Sequence, residues 1–323
     1  MSETTIREAK ISDCDSLVSM MKEATDEMNF GTKLKLTAKD LEKDAFGKSP
    51  NFGIYVCQSA ACDIVGYVLF YYTYSTWEGR SVCIEEMFVS PSHRRKGLAS
   101  ALWRRVVQTA LQNDCKRCNL TALPGNEFLL SQGAFDLSVL EGWLFFRQTK
   151  EAMELFVKSC QVPGGVLIRE AGRNNCKTIR KMIQDLADYE KMPEGPKLSA
   201  ATLEEDGHGE TKFYRCFIAE NDRALLGYTL FFFTYNAEGH GVYMEDIYVS
   251  PEYRGRGIGL ALWGKVIQAG LDLGGTRCDF AVLDWNIPSI DIYKTKGAVD
   301  MTEASNFHFY RMTREVMEKF AKC

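Results

Sequence analysis

Two stretches of this chain have the residue types and spacing of an anion cradle. Residues 89–103 read VSPSHRRKGLASALW and residues 249–263 read VSPEYRGRGIGLALW, identical at eight of fifteen positions at a constant offset of 160. Each sets an Arg-x-x-Gly-x-Ala/Gly loop between an apolar, strand-like run and an amphipathic run. At Arg254-Gly255-Arg256-Gly257-Ile258-Gly259 the small residues let the backbone approach a bound anion closely. Free N–H groups and the dipole of the helix that begins there favour negative charge, such as a diphosphate. An isolated loop of this kind is equally an ordinary strand-to-helix turn; its repetition and flanks single it out. No Lys-Ser/Thr follows, and the glycine spacing is not that of a dinucleotide fingerprint. Only the second copy is followed by an intact DWNIPSIDIYKTKGA segment, with Tyr293 where a reaction would need an acid.

The elements that must hold these residues also come in two sets. Ile6–Ala9 matches Ile168–Ala171 at an offset of 162, and Gly66–Phe70 matches Gly227–Phe231 (apart from Val68 and Thr229) at 161. Gly133-Ala134 matches Gly297-Ala298 at 164, so the first half is four residues short just before this point. Each half reads as a short strand, a helix (14–28; 175–189), a second short helix (37–45; 199–206) and two strands joined by a turn. A further strand runs into the glycine loop and a long helix, and a strand, a helix and a final strand close the half. Thr37 and Asp40 have capping-box spacing, with Asp in place of Glu. This order predicts an α/β fold of two domains, 1–157 and 166–323. The joint falls at Val157–Gly165, which carries the Pro and Gly of a linker.

Composition bounds the partners. A net charge of −4 argues against nucleic-acid binding. The longest apolar run, Ala224–Tyr235, is too short to span a bilayer, and the polar N-terminus is no signal peptide. Eleven cysteines without a framework read as free thiols in a reducing compartment, and four scattered histidines suggest no metal site. The chain therefore reads as soluble and cytoplasmic, with no membrane partner.

At the loop, the chain resembles the GNAT acetyltransferase superfamily, whose signature is Arg/Gln-x-x-Gly-x-Gly/Ala. The second half resembles, over essentially its whole length, the diamine (spermidine/spermine) or thialysine N-acetyltransferases. The residues that carry this are Leu186–Met192, Phe233–Tyr235, Tyr243–Asp246, Tyr253–Gly259 and Trp285-Asn286-x-Pro288-Ser289-x-x-x-Tyr293-Lys294-x-x-Gly297-Ala298. The resemblance implies two tandem domains, each a mixed, mostly antiparallel sheet flanked by helices. It implies acetyl-CoA as co-substrate, with its diphosphate on Arg254–Gly259, its pantetheine arm along Ile247, Tyr248 and Val249, and Asn286 and Ser289 lining it. It implies a small primary amine as acceptor, whether a polyamine, thialysine or a lysine-like molecule. Amines of this kind have a pKa of roughly 10 and must lose a proton before attack. Glu245 occupies the family's base position and Tyr293 its acid position, where a phenol still protonated at neutral pH can donate to the departing thiolate. Tyr189, Glu190, Glu245 and Asp246 match amine-facing positions. Protein lysine or N-terminal acetylation, or a non-catalytic acyl-CoA-binding role, are the competing readings.

The first half departs from the pattern. It has Arg95 in place of Gly255, and Leu129 falls where Tyr293 stands. It reads as catalytically inactive, its CoA binding open. Diamine acetyltransferases are homodimers, and this chain looks like such a pair fused into an intramolecular pseudo-dimer, which can act as a monomer. Trp77 and Trp143 of the first half match substrate-side positions that the second half has lost. The resemblance therefore allows family substrate residues to be split between the halves; drift in an inactive domain is the competing account.

Overall fold

The computed structural model describes residues 4–28, 34, 36–47, 50 and 52–322; residues 1–3 of the polar N-terminus lie outside them. The first half runs β1 (Thr5–Glu8), α1 (Cys14–Met28), α2 (Ala38–Phe46), β2 (Gly53–Gln58), β3 (Ile64–Ser75), β4 (Gly79–Val89) and α3 (Leu98–Gln112). It continues with β5 (Arg117–Ala122), α4 (Glu127–Ser131), β6 (Phe135–Asp136), α5 (Leu137–Leu140), β7 (Trp143–Thr149) and α6 (Lys150–Ser159). The second half repeats this as β8 (Leu167–Glu170), α7 (Cys176–Tyr189), α8 (Ala200–His208), β9 (Arg215–Glu220), β10 (Leu225–Asn236), β11 (Gly239–Val249) and α9 (Ile258–Asp272). It ends with β12 (Arg277–Leu283), α10 (Ile287–Thr295), β13 (Val299–Asp300), α11 (Met301–Ser305), β14 (His308–Thr313) and α12 (Arg314–Phe320). Helix α2 starts where its box predicts: Thr37 Oγ1 accepts from Asp40 N at 3.2 Å, and Asp40 Oδ2 accepts from Thr37 N at 3.0 Å.

The halves do not close on themselves. The two seven-stranded sheets run β1-β2-β3-β4-β5-β14-β6 and β8-β9-β10-β11-β12-β7-β13. The final strand of each half therefore completes the other half's sheet, which corrects the expectation that each half closes with its own. Strand β7 lies antiparallel to β12 from Trp143↔Leu283 to Thr149↔Arg277, and β14 pairs the same way with β5. Alternation along a strand fixes which of its faces is buried but not which sheet it joins. Helix α6 also extends to Ser159, into the expected linker, because Met153 and Phe156 bury against Trp263 and neighbours of the second core. Tyr310, Met312, Met317 and Phe320 fill the first core in return.

In each sheet one strand pair is parallel, β4 with β5 and β11 with β12. The second pairing lasts only from Val242↔Cys278 to Met244↔Phe280. Beyond Met244, β11 bonds only to β10, and β12 continues against β7. The two strands thus part, leaving the Glu245–Val249 edge of β11 unpaired. Helix α9 starts at the end of that edge.

Candidate active site

Glu245 sits at the fork. The β10–β11 register passes from Leu230↔Asp246 to Phe231↔Met244, so Glu245 is the extra residue of a β-bulge. A bulge bends its strand and re-aims a side chain. Here it brings Glu245 and Asp246, adjacent in sequence, to line one cavity with Glu190 from the end of α7. The first half supplies much of the remaining wall: Thr76, Trp77, Trp143 and Leu137. Sequence reading left open whether the two tryptophans reach the second half's site; both line this cavity with its three acids. The path is the exchange itself, because Trp143 begins β7.

Burial of three carboxyls together pushes their pKa values up. Glu245 rises to about 8, chiefly by desolvation and then by the charge of Asp246, with Arg117 and Arg311 opposing. Glu190 also rises to about 8, by desolvation and then by Asp246 and Glu245. Asp246 rises only to about 6, because Tyr228 and Thr76 hydrogen-bond to it. The Tyr228 hydroxyl donates to Asp246 Oδ2 at 2.6 Å. Glu245 accepts no side-chain hydrogen bond among the described residues.

The first half shows what that freedom means. Glu85 occupies the matching bulge, between Leu69↔Glu86 and Phe70↔Ile84. It is held twice, by the Tyr71 hydroxyl at 2.7 Å and by Asn236 Nδ2 at 3.1 Å. The residues at those two places around Glu245 are Phe232 and Ser75, and neither donates to it. Sequence reading missed this difference, although the 161-residue offset sets Tyr71 against Phe232.

Tyr293 lies on α10, its ring 4.5 Å from Phe280 and 5.2 Å from Trp263. Burial, and then the charge of Glu190, raises its pKa well above the usual phenol value. Its hydroxyl has no partner among the described residues. In the first half α4 spans five residues against nine for α10, and Leu129 is buried in the first core.

The loops diverge too. Gly255 (φ +74°) and Gly257 (φ +80°) take the left-handed conformation, and a Cβ on Gly255 would meet nothing within 4 Å. Arg95 keeps the same turn at φ +59°, where a side chain is strained. Arg94 Nη1 and Nη2 donate to the two carboxylate oxygens of Glu27 at 2.8 and 2.6 Å. Arg254 Nε donates to Val249 O at 2.8 Å, as Arg94 Nε does to Val89 O, but the Arg254 guanidinium lies 5.3 Å from the Tyr189 ring centre with no ion pair among the described residues. Tyr189 is thus not brought into the carboxyl cavity. Its hydroxyl donates to Asn286 Oδ1 at 3.2 Å, on the side of the loop and α10. Ser289 stands in the first turn of α10, and Ile247–Val249 and Arg256–Gly259 follow the open edge into α9. Among the described residues no His/Cys/Asp/Glu cluster could hold a metal, the cysteines are free, and no helix is long and apolar enough to cross a membrane.

The profile of the Acetyltransferase (GNAT) family matches residues 18–130 and 179–298. The chain belongs to this family, twice over, and is an N-acetyltransferase. It is similar to a thialysine N-epsilon-acetyltransferase of Bos taurus, 43% identical over 165 residues that cover 48% of this chain and 97% of that protein. It is also similar to a spermidine/spermine N(1)-acetyltransferase-like protein 1 of Homo sapiens, 34% identical over 46% of this chain and 22% of that one. A solved tandem GNAT protein from the clavulanic acid biosynthesis pathway shares the fold, with a TM-score of 0.53 and 15% identity over 97% of this chain and 99% of that chain. The relatives make the acceptor of this N-acetyltransferase an amine.

Proposed function

We propose that the second half transfers an acetyl group from acetyl-CoA to a small primary amine such as thialysine, a lysine-like molecule or a polyamine, and that the first half is its inactive partner. The observation that carries this is Glu245: a carboxyl on a bulge, free of hydrogen-bond donors, in a cavity with two other acids and beside an open strand edge. Acetyl-CoA supplies the acetyl group as an activated thioester. The chain fits it: Gly255 leaves open space for a diphosphate, Arg254 and Arg256 flank it, and the unpaired Glu245–Val249 edge offers backbone N–H groups to a pantetheine arm. Asn286 and Ser289 line the same side.

Asp246, whose pKa of about 6 leaves it charged at neutral pH, attracts the ammonium form of the amine, and Glu190 and Glu245 join it as the pH rises toward 8. Glu245, with a pKa of about 8, is well matched to accept the proton that the amine must lose. Tyr293, its pKa raised, stays protonated and donates to the departing sulfur. Trp77 and Trp143 wall the amine side. The cavity, of about 100 Å³, suits a slender molecule. The first half lacks the phenol, holds Glu85 in two hydrogen bonds and neutralises Arg94 with Glu27.

Release of free thiol from acetyl-CoA with a panel of amines tests the reading. Turnover is expected with at least one amine, and Tyr293→Phe and Glu245→Gln are expected each to lower kcat by about 10²–10⁴-fold. Equilibrium binding is expected to give one CoA per chain. Tight CoA binding without turnover of any amine would favour a sensor instead.

A further inference from the structure

We propose that Gly195, in the connection between α7 and α8, and Trp77, in the β3–β4 turn of the first half, form a lock that holds Glu190 at the acceptor cavity, so that the inactive half sets the affinity of the active half for its amine. Gly195 is a positioning residue: it does not line the cavity and acts through the loop that carries it. The inference rests on the amine reading of the cavity and adds what fixes its third acid.

The turn of the first half reaches well into the second. Thr76 is buried and hydrogen-bonds to Asp246. Trp77 lines the cavity, and its carbonyl accepts from Lys197 N at 2.8 Å and from Leu198 N at 3.2 Å. Arg80 Nε donates to Asp206 Oδ1 at 2.7 Å, which ties the start of β4 to α8. The backbone does not call for glycine at 195, because that residue lies outside the left-handed region. The indole does: a Cβ on Gly195 would stand 2.7 Å from Trp77 Cε3 and 2.8 Å from Cδ2, closer than packed atoms approach. Nor does the turn call for a tryptophan. Gly79 and Gly239 give both hairpins the same φ of +93°, and the second hairpin has Glu238 at the matching place. The bare face of Gly195 and the indole of Trp77 therefore fit each other across the two halves.

The loop passes this seat on to Glu190. Gly195 N donates to Met192 O at 2.9 Å, and Met192 N to Ala187 O at 2.8 Å. Arg180 Nε of α7 donates to Leu198 O at 2.6 Å, and Gln184 Nε2 to Pro193 O at 2.8 Å. Lys191, next to Glu190, has φ +63°, a conformation that a residue other than glycine keeps only where its surroundings impose it. A loop bonded at this many points shifts as a unit, so a displacement at Gly195 reaches Glu190. Glu245 on β11 and Tyr293 on α10 stand on elements outside the loop. Displacing it should therefore weaken amine binding and spare the chemical step.

The test is a double-mutant cycle read on the KM of the amine that wild type turns over best. Gly195→Ala is expected to raise that KM about ten-fold, with kcat within about two-fold of wild type. Trp77→Ala removes the ring that the new methyl group meets. It raises KM by itself, and adding Gly195→Ala to it should change KM no further. KM does not depend on the fraction of a variant that folds. An unchanged KM in Gly195→Ala, a loss confined to kcat, or an equal effect of Gly195→Ala in both backgrounds overturns the proposal. Hydrogen exchange at the Lys197 and Leu198 amides reads the lock apart from activity, and Gly195→Ala should speed it about ten-fold. Should wild type acetylate no amine, the acetyl-transfer reading has failed and exchange decides the lock: faster exchange in Gly195→Ala upholds it, and unchanged exchange overturns it.

Discussion

Glu245 and Glu85 occupy the same bulge in matching sheets, and their neighbours set them apart. Tyr71 and Asn236 hold Glu85, whereas Phe232 and Ser75 leave Glu245 free. Phe232→Tyr should give Glu245 the donor that Glu85 has, favouring its charged form. The rise of kcat/KM with pH, expected near pH 8 for wild type, should then move to lower pH by about one unit, with a lower plateau. The amine's own titration is common to both proteins, so the comparison isolates Glu245; superimposable profiles would reject its role as base. At this scale the residue types were legible and their environments were not. The resemblance to the diamine and thialysine acetyltransferases singles out Glu245 and Tyr293 from the sequence. That Thr76 supports Asp246, or that Arg117 and Arg311 oppose the rise of Glu245, depends on strand pairings that no local pattern encodes.

Strands, loops and helices show what periodicity conveys. The capping box, the alternating strands and the long helices after each loop were readable because each is a local property. The four-residue gap was equally readable, and it appears as the short α4. The fates of the two loops were only half visible. Arg95 in place of a glycine was plain in the sequence, but the Arg94–Glu27 pair joins residues 67 positions apart. We predict that Arg254→Ala raises the KM for acetyl-CoA about ten-fold, from one lost charge-assisted phosphate contact. Arg94→Ala should leave it unchanged, since that guanidinium is already paired. Equal effects would mean that both loops bind.

At the scale of the molecule, the exchange of β7 and β14 was not legible. Each strand has the length and alternation to close either sheet, and chain order suggests the wrong one. The consequence is that neither half has a complete core: Phe146, Met153 and Phe156 of the first half belong to the second core. A protease site placed in the Cys160–Gly165 link should therefore yield two fragments that co-elute as one active 1:1 complex on gel filtration. Fragments that separate without denaturant would contradict the exchange.

The same crossing bears on how the chain is made. Arg311 pairs with Asn119, 192 residues earlier, so the edge of β5 stays open until β14 has left the ribosome. At common translation rates that is roughly 10–40 s, during which an unpaired strand edge is free to meet other nascent chains. Translation speed and chaperone supply, more than final stability, should therefore govern the yield of this protein in a foreign host.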